Sequence, residues 1–282
     1  MQKTTPLREK FRDFMLLKRF SDKTIEAYIH AVAGLAQHYS CPPDRLNLKQ
    51  VQDYLLYLLY ERKLSWSSCN VALSAFCCFF NKMLRYEGWK YRLPPRPRVK
   101  QLPMLLSKQE VKRLINAPDN LKHRAMLYTV YGSGVRVREL TRLKVQHIES
   151  GRNLIRVEQG KGRKDRYTLL GKPLLRILRD YWRAYHPTDY LFPGKEKTVP
   201  ITVSSVQRVY YRAKARAGID KGRGIHTLRH CFASHLLSDG TDIYTLKRLL
   251  GHRSIKTTWR YCHVSQEDLL NTPNPLTFLE QR

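Results

Sequence analysis

Residues 153–171 read "NLIRVEQGKGRKDRYTLLG" and interrupt a pattern that is otherwise helical. The two ends of this stretch are rich in β-branched and aromatic residues, and the central "GKGRK" supplies turn glycines, which favours a β-hairpin. On both sides apolar residues recur at helical spacing, for example in "HRAMLYTVYGSG" before the hairpin and "HTLRHCFASHLLSDG" after it. The sequence therefore predicts a mainly α fold with one small β-sheet, the α+β class.

The amino-terminal part predicts a small helical bundle. Between Leu7 and about Arg85, four blocks carry apolar residues at helical spacing: "FRDFMLLKRF", "TIEAYIHAVAGLAQHY", "VQDYLLYLLYERK" and "NVALSAFCCFFNKML". Side-chain oxygens of Ser21 and Asp22 are suited to capping the second block, and those of Ser67 and Ser68 to capping the fourth.

A proline-rich basic stretch separates this bundle from the rest of the chain. It reads "YEGWKYRLPPRPRVKQLPMLL" and shows little periodicity, which is typical of an extended linker. Directly after it, Ser107 and Glu110 form a capping-box pattern that begins a new helix. We therefore predict a helical domain over residues 1–86, a basic linker over 87–106 and a second domain over 107–282.

The charge of the chain indicates a polyanionic partner. Lysine and arginine number 52 against 23 acidic residues, a formal charge of +29. With aromatic residues at 11%, this excess favours nucleic acid. A membrane partner would need a long apolar span or a terminal basic amphipathic helix, and we find neither. The chain start lacks the pattern of a secretory signal, so we expect a cytoplasmic protein. The cysteines show no metal-like spacing.

Two further features suit a bound anion. Arg136 follows two glycines at a predicted helix start, where free N–H groups favour negative charge, and Glu139 shares its helical face. Lys161 occupies the tip of the predicted hairpin between two glycines, which let the backbone approach a ligand closely. Taken alone, each has an ordinary explanation as a solvated helix start or a charged hairpin tip.

The segment "GIHTLRHCFASH", residues 224–235, admits two interpretations. Histidines four residues apart share one helical face, which suits zinc. Arg229, however, lies between them and would place a permanent positive charge beside the dication. An anion-binding role is therefore favoured for His226 and Arg229, whereas we expect His230 and His235 to be structural. Further along, His252 and Tyr261 lie nine residues apart; a phenol needs a nearby base and cations to act as a nucleophile.

Together these motifs resemble the tyrosine recombinases of the phage-integrase, Xer and integron-integrase kind. The family pattern is G-x-R-x-x-E, a lysine on a hairpin turn, H-x-x-R, a histidine in L-G-H and a tyrosine nine residues later. The matching residues are Arg136 with Glu139, Lys161, His226 with Arg229, His252 and Tyr261. The amino-terminal "KRFSDKTIEAYIHAV" is similar to the core-binding domain of the family. The insertion expected of true integron integrases is not evident.

This resemblance implies a site-specific recombinase that serves a mobile element or a chromosome and acts without metal or other cofactor. Arg136 and Arg229 would hold the scissile phosphate, and His252 would hydrogen-bond one of its oxygens. His226 would accept the proton of Tyr261, Lys161 would protonate the departing 5′ oxygen, and Tyr261 would form a 3′-phosphotyrosine.

The resemblance also implies how DNA is held. Four protomers would assemble on two duplexes, joined through their carboxy-terminal tails. We expect phosphate contacts from the basic linker and the hairpin, at Arg96, Arg98, Lys100, Arg163 and Lys164. Two other classes stay open: a DNA-binding accessory protein that does not cleave, and a relaxing topoisomerase of the type IB kind.

Overall fold

A computed structural model describes residues 5–86, 88–96, 105–158 and 165–261. The chain forms two compact units, Met1–Lys100 and Gln101–Arg282. Both are built mostly from helices, and the second also holds a three-stranded sheet, so the predicted mainly α fold with a small sheet is confirmed. Within the described residues, none of the helices combines the length and the apolar character needed to cross a membrane.

The first unit is a helical bundle. Its helices are α1 (Pro6–Leu17), α2 (Asp22–Tyr39), α3 (Leu48–Tyr60) and α4 (Trp66–Phe76), and α4 continues into a π-helical stretch, Cys77–Met83. Ser21 caps α2 as predicted, because its hydroxyl accepts the N–H of Thr24. The predicted cap of α4 is wrong: the helix begins one turn earlier, and the hydroxyl of Ser65 accepts the N–H of Ser68.

An aromatic core holds the bundle together. Phe11, Phe79 and Phe80 are buried, and the rings of Phe79 and Phe80 meet edge to face with centroids 4.9 Å apart. Each large apolar side chain buried in this way stabilises the fold by roughly 1.5–3 kcal/mol. Part of the predicted linker joins this core: Trp89 lies 5.1 Å from Phe80 between ring centroids, and the indole N–H of Trp66 donates to Pro94 O at 2.8 Å. Residues 88–96 therefore lie on the bundle.

The second unit packs helices around its sheet. Its helices are α5 (Lys108–Asn116), α6 (Leu121–Ser133), α7 (Val137–Thr141), α8 (Lys172–Tyr185), α9 (Val203–Arg216), α10 (His226–Ser238), α11 (Ile243–Leu250) and α12 (Ile255–Thr258). Short 3-10 turns cover Val145–His147 and Trp259–Tyr261. The capping box predicted before α5 is present, since Ser107 and Glu110 each accept the other's backbone N–H.

The sheet contains the predicted hairpin and one strand that was not predicted. Strands β1 (Ile148–Glu149), β2 (Leu154–Val157) and β3 (Arg166–Leu169) run antiparallel in the order β1-β2-β3. Ile155 pairs with Thr168, and both are buried; the hydroxyl of Thr168 donates to Ser133 O, 2.6 Å away, at the end of α6. This bond fixes the base of the hairpin to α6.

Helix α10 runs through the middle of the second unit and brings its amino-terminal turn to the candidate site. Leu228 and Cys231 are buried in the main core, while Phe232 and Ala233 form a smaller cluster with α11. Gly134 ends α6 in the left-handed region, at φ 63°. Because a Cβ at Gly134 would meet the ring of Phe232, glycine is needed where the chain turns toward α7.

Candidate active site

A pocket of about 470 Å³ opens where α7, α10 and the turn after α11 meet. Its lining is rich in cations and imidazoles, with one phenol, which suits a negatively charged ligand. The residues that line it are Arg136, His226, Arg229, His230, Gly251, His252, Arg253, Ser254, Thr257, Arg260 and Tyr261. Five predicted site residues from distant parts of the sequence thus meet in one place.

Arg229 is a buried arginine, with only 4% of its surface exposed. Its guanidinium donates to Gly134 O, to Leu250 O at 2.8 Å and toward His252 Nε2 at 3.2 Å. Burial and the nearby Arg136 lower the pKa of Arg229, although a guanidinium keeps its proton at neutral pH. Its nearest described carboxylate oxygen, of Glu139, is 4.0 Å away. An anion entering the pocket would supply closer compensation.

Arg136 stands at the start of α7 and is tied to Glu139. The carboxylate of Glu139 accepts the backbone N–H of Arg136 at 2.7 Å and its Nη1 at 2.8 Å. The backbone N–H of Arg136 itself is therefore not free to bind an anion, because Glu139 accepts it. The guanidinium still lines the pocket, and its side chain is 23% exposed. Glu139 thus orients Arg136, one of the roles that its spacing predicted.

Glu139 is nearly buried, with 7% of its side chain exposed, and is strongly ionised. Burial by itself would raise the pKa of this carboxyl, but hydrogen bonds and charge from Arg166, followed by Arg136, lower the pKa to about 2. Arg166 donates to both carboxylate oxygens, at 2.9 and 2.8 Å. Arg166 was not predicted as a site residue, because the run that contains it indicates only a strand.

His252 follows α11 and faces Arg229. Its Nδ1 lies 3.0 Å from Thr258 Oγ1, and its Nε2 lies 3.2 Å from Nη2 of Arg229. Because a guanidinium only donates hydrogen bonds, Nε2 is the acceptor and the proton of the neutral ring sits on Nδ1. Arg229 therefore sets the tautomer of His252, and the hydroxyl of the fully buried Thr258 accepts the Nδ1–H.

Tyr261 and His230 form the closest phenol–imidazole pair in the pocket. The Tyr261 hydroxyl lies 2.8 Å from His230 Nδ1. Burial raises the pKa of Tyr261, opposed by Arg229, Arg260 and Arg136. Burial, then His226 and Arg229, lowers the pKa of His230 to about 4. His230 is therefore neutral at neutral pH and able to accept a proton.

His226 lines the same pocket, but within the described part of the chain the imidazole that contacts the Tyr261 hydroxyl is that of His230. His226 is exposed at the surface. Even so, its pKa is lowered, first by partial desolvation of the ring and then by the charges of Arg229 and Arg136. His230, which was expected to be structural, thus directly contacts Tyr261. The sequence signal was present, since His230 lies one helical turn after His226 and directly after Arg229.

His235 has the structural role expected from the sequence. Its Nδ1 lies 3.0 Å from the hydroxyl of Tyr131, and its Nε2 lies 3.0 Å from Leu106 O. Both ring nitrogens therefore have protein partners. Across the described part of the chain, no three His, Cys, Asp or Glu side chains gather as a metal site would require.

The remaining predicted contacts fall mostly elsewhere. Five of them lie outside the described residues: Lys161, Arg163 and Lys164 of the predicted hairpin tip, and Arg98 and Lys100 of the predicted linker. Arg96 is exposed, and its guanidinium carbon lies 5.8 Å from the ring centroid of Trp66. That position leaves Arg96 accessible to an external phosphate.

Comparison with known proteins identifies the family of the chain and agrees with its fold. Residues 105–268 match the phage integrase family, and residues 7–88 match the phage integrase N-terminal SAM-like domain. The chain belongs to the phage integrase family, the family of the tyrosine recombinases.

The similar proteins include integrases and recombinases. A putative integrase/recombinase, y4qK of Sinorhizobium fredii, is 39% identical over 98% of this chain and 90% of that protein. The tyrosine recombinase XerA of Pyrococcus furiosus is 33% identical over 96% of this chain and 94% of its own. A lambda integrase tetramer bound to a Holliday junction shares the fold, with a TM-score of 0.72 and 17% identity over 90% of this chain and 76% of that one.

Proposed function

We propose that this protein is a site-specific DNA recombinase that cleaves and rejoins strands through a 3′-phosphotyrosine on Tyr261. The observation that carries the proposal is the convergence of the Tyr261 hydroxyl with Arg136 and Arg229 in one pocket. Guanidinium groups can bind the non-bridging oxygens of a phosphodiester in pairs and stabilise the extra charge of its transition state. Family membership and the formal charge of +29 also support DNA as the substrate.

The proposed reaction is a displacement at phosphorus. The oxygen of Tyr261 bonds to the phosphorus while the bond to the 5′ oxygen of the next nucleotide breaks. The phenol proton passes to an imidazole, and Lys161 protonates the departing oxygen. Since the ester energy is kept in the phosphotyrosine, a 5′ hydroxyl of another strand can reverse the step, and the reaction itself balances without an added oxidant or nucleotide.

We assign the phenol proton to His230 in place of His226. The contact of 2.8 Å between His230 Nδ1 and the Tyr261 hydroxyl supports this choice, as does the low pKa that keeps the ring neutral. His226 and His252 then remain beside the phosphate, with Arg136 and Arg229. A neutral base next to two permanent cations is the combination that a weakly acidic phenol needs.

The proposal extends to the assembly. The substrate is double-stranded DNA at a specific recombination site, contacted by Arg96, Arg98, Lys100, Arg163 and Lys164. Four protomers act on two duplexes and associate through their carboxy-terminal tails. The tetrameric lambda integrase complex supports this arrangement by likeness of fold. A cytoplasmic location is part of the proposal, and action on DNA is consistent with it.

Covalent trapping tests this proposal. The full chain is incubated with nicked duplexes taken from the DNA that flanks its own gene, and protein–DNA adducts are separated under denaturing conditions. We expect an adduct with the wild-type protein and none with Tyr261→Phe. Tyr244→Phe is the matched control, because this phenol is 67% exposed and lies on α11 outside the pocket lining.

The same experiment separates the competing classes. Binding without any adduct would contradict the proposal and favour an accessory DNA-binding protein. Adducts that form equally on unrelated duplexes, with plasmid relaxation, would favour a topoisomerase. An adduct that survives Tyr261→Phe would show that another residue is the nucleophile.

A further inference from the structure

We propose that Arg166 is a positioning residue for strand cleavage: it holds Glu139 and the turn after α11 together, and through them sets the places of Arg136 and His252. This inference rests on the proposed function. Arg166 is absent from the pocket lining, so its effect would pass through its neighbours and not through contact with DNA.

The side chain of Arg166 is almost completely engaged. It lies at the first position of β3, and its side chain is only 9% exposed. Nη1 and Nη2 each donate to one oxygen of Glu139, at 2.9 and 2.8 Å, and Nε donates to Leu249 O at 2.9 Å. A planar guanidinium can serve a carboxylate and a carbonyl at once, whereas an ammonium group cannot reproduce this fork.

One partner of Arg166 leads to the first arginine of the site. Glu139 uses the same two oxygens to accept the backbone N–H and the Nη1 of Arg136, at 2.7 and 2.8 Å. A carboxylate shared between two guanidiniums has little freedom to turn. Arg166 therefore limits how far Glu139, and with it Arg136, moves when a phosphate binds.

The other partner leads to His252. Arg166 binds the carbonyl of Leu249, and Arg229 binds the next carbonyl, that of Leu250, at 2.8 Å. The last carbonyls of a helix lack partners within the helix and carry partial negative charge, so two guanidiniums suit them. These adjacent bonds fix the carboxy-terminal end of α11, from which the chain turns to His252.

Gly251 in this turn is fitted to Arg166. It adopts the left-handed region at φ 64°, and a Cβ built on it would lie 2.6 Å from Cδ of Arg166 and 3.0 Å from its Nε. A larger residue would therefore displace either the turn or the arginine. The glycine lets β3 and α11 approach closely enough for the bond between Arg166 and Leu249.

The test compares Arg166→Lys, which keeps the charge and loses the fork, with the wild-type protein. Arg152→Lys is the matched control, because Arg152 lies beside the same sheet and pairs with Glu149 at 2.9 Å, but its side chain is 63% exposed. Adduct formation is followed over time at saturating nicked duplex, the substrate on which the wild-type protein forms its adduct. Both the rate constant and the final amount of adduct are recorded, with DNA affinity measured separately.

We expect Arg166→Lys to slow adduct formation roughly 10- to 100-fold, the effect of displacing a reacting group by about 1 Å. The final amount of adduct and the DNA affinity should stay close to those of the wild type, as should all three quantities for Arg152→Lys. If Arg166 acts through Glu139, the double variant Arg166→Lys with Glu139→Gln should be no slower than the slower single variant.

Three results would overturn the inference. One is an unchanged rate constant in Arg166→Lys. Another is a loss confined to the final amount of adduct, which would indicate only a smaller folded fraction. The third is a double variant whose slowing is the product of the two single effects. Failure of the wild-type protein itself to form an adduct would instead remove the proposed function, and the inference with it.

Discussion

The two units of this protein fill their interiors differently. In the described part of Met1–Lys100, the buried side chains are apolar or aromatic, as in the cluster of Phe11, Phe79 and Phe80. The described part of Gln101–Arg282 also buries polar and charged side chains, namely Thr129, Ser133, Thr141, His147, Thr168, Thr227, Arg229 and Thr258. The near-buried pair of Glu139 and Arg166 belongs to the same unit.

This difference shows which unit buries polar and charged groups at a cost in folding free energy. Burying a polar group without partners costs several kcal/mol, and a buried charge costs more unless it is paired. The first unit gains its stability mainly from packing, and in its described part the buried side-chain oxygens without a hydrogen-bond partner are those of Asn81 and Tyr91. The second unit carries that cost because a cleaving pocket needs cations and a neutral base held in place before DNA arrives.

The largest expected effect falls on the pocket, at His230. If His230 accepts the phenol proton, His230→Gln should slow adduct formation about 100- to 10,000-fold, the usual range for loss of a positioned base. His226→Gln, one turn away, should cost less. The measurement is the adduct rate constant for both variants at saturating DNA.

The pH profile sharpens the same comparison. Because the pKa of His230 is lowered to about 4, the wild-type rate should hold down to about pH 5 and fall as the ring becomes protonated near 4. Without this base, the rate of His230→Gln should rise with pH as solvent takes the proton. A His226→Gln variant that is slower than His230→Gln would return the role of base to His226.

Shortening a buried side chain of the bundle should lower the unfolding free energy without changing the rate of DNA cleavage. Phe80→Ala removes a fully buried ring and should cost about 3–5 kcal/mol of unfolding free energy. Denaturant unfolding of the full chain measures this loss. Leu17→Ala is the control, since Leu17 is 84% exposed and should change little.

The chemical step supplies the second half of that test. At saturating DNA, and at a temperature where Phe80→Ala remains folded, its adduct rate constant should match the wild type. A lower rate constant in the folded variant would contradict this contrast between the units, because packing in the first unit would then affect the chemical step in the pocket.

Glu139 should make the stability of the second unit depend on pH. Its pKa is lowered from 4.5 to about 2, so the folded state favours the ionised form. The resulting stability, roughly 3 kcal/mol, is complete above pH 4.5 and is lost as pH falls toward 2. Glu139→Gln should therefore be less stable than the wild type at pH 7, and the gap should narrow by pH 3. A gap that stays constant with pH would show that Glu139 is not the titrating group.

Sequence patterns predicted much of this arrangement, because several of its features depend on residues that are close together along the chain. The hairpin, the capping box at Ser107 and the convergence of Arg136, Arg229 and Tyr261 were all visible as spacing or resemblance. Ser65 was missed as a cap because several serines lie close together there, and helix starts shift easily by a turn.

The missed site residues depend on contacts across the fold. Helical spacing puts His226 and His230 on one face, but only the path of the chain from α11 to Tyr261 decides which ring meets the phenol. Arg166 belongs to a run whose alternation predicts a strand, and its partners Glu139 and Leu249 lie 27 and 83 residues away. No local pattern carries that information.

The smallest expected effect concerns an ion pair at the surface. Arg216 and Asp119 lie 2.6 Å apart, closer than Arg166 and Glu139 at 2.8 Å, but their side chains are 56% and 86% exposed. Water screens such a pair, so Asp119→Asn should change the unfolding free energy by less than about 1 kcal/mol. Thermal or denaturant unfolding of this variant and of Glu139→Gln separates the effect of burial on the strength of an ion pair from the effect of distance. If Asp119→Asn cost as much as Glu139→Gln, distance and not burial would set the strength of these pairs, and the contrast between exposed and buried charge would fail.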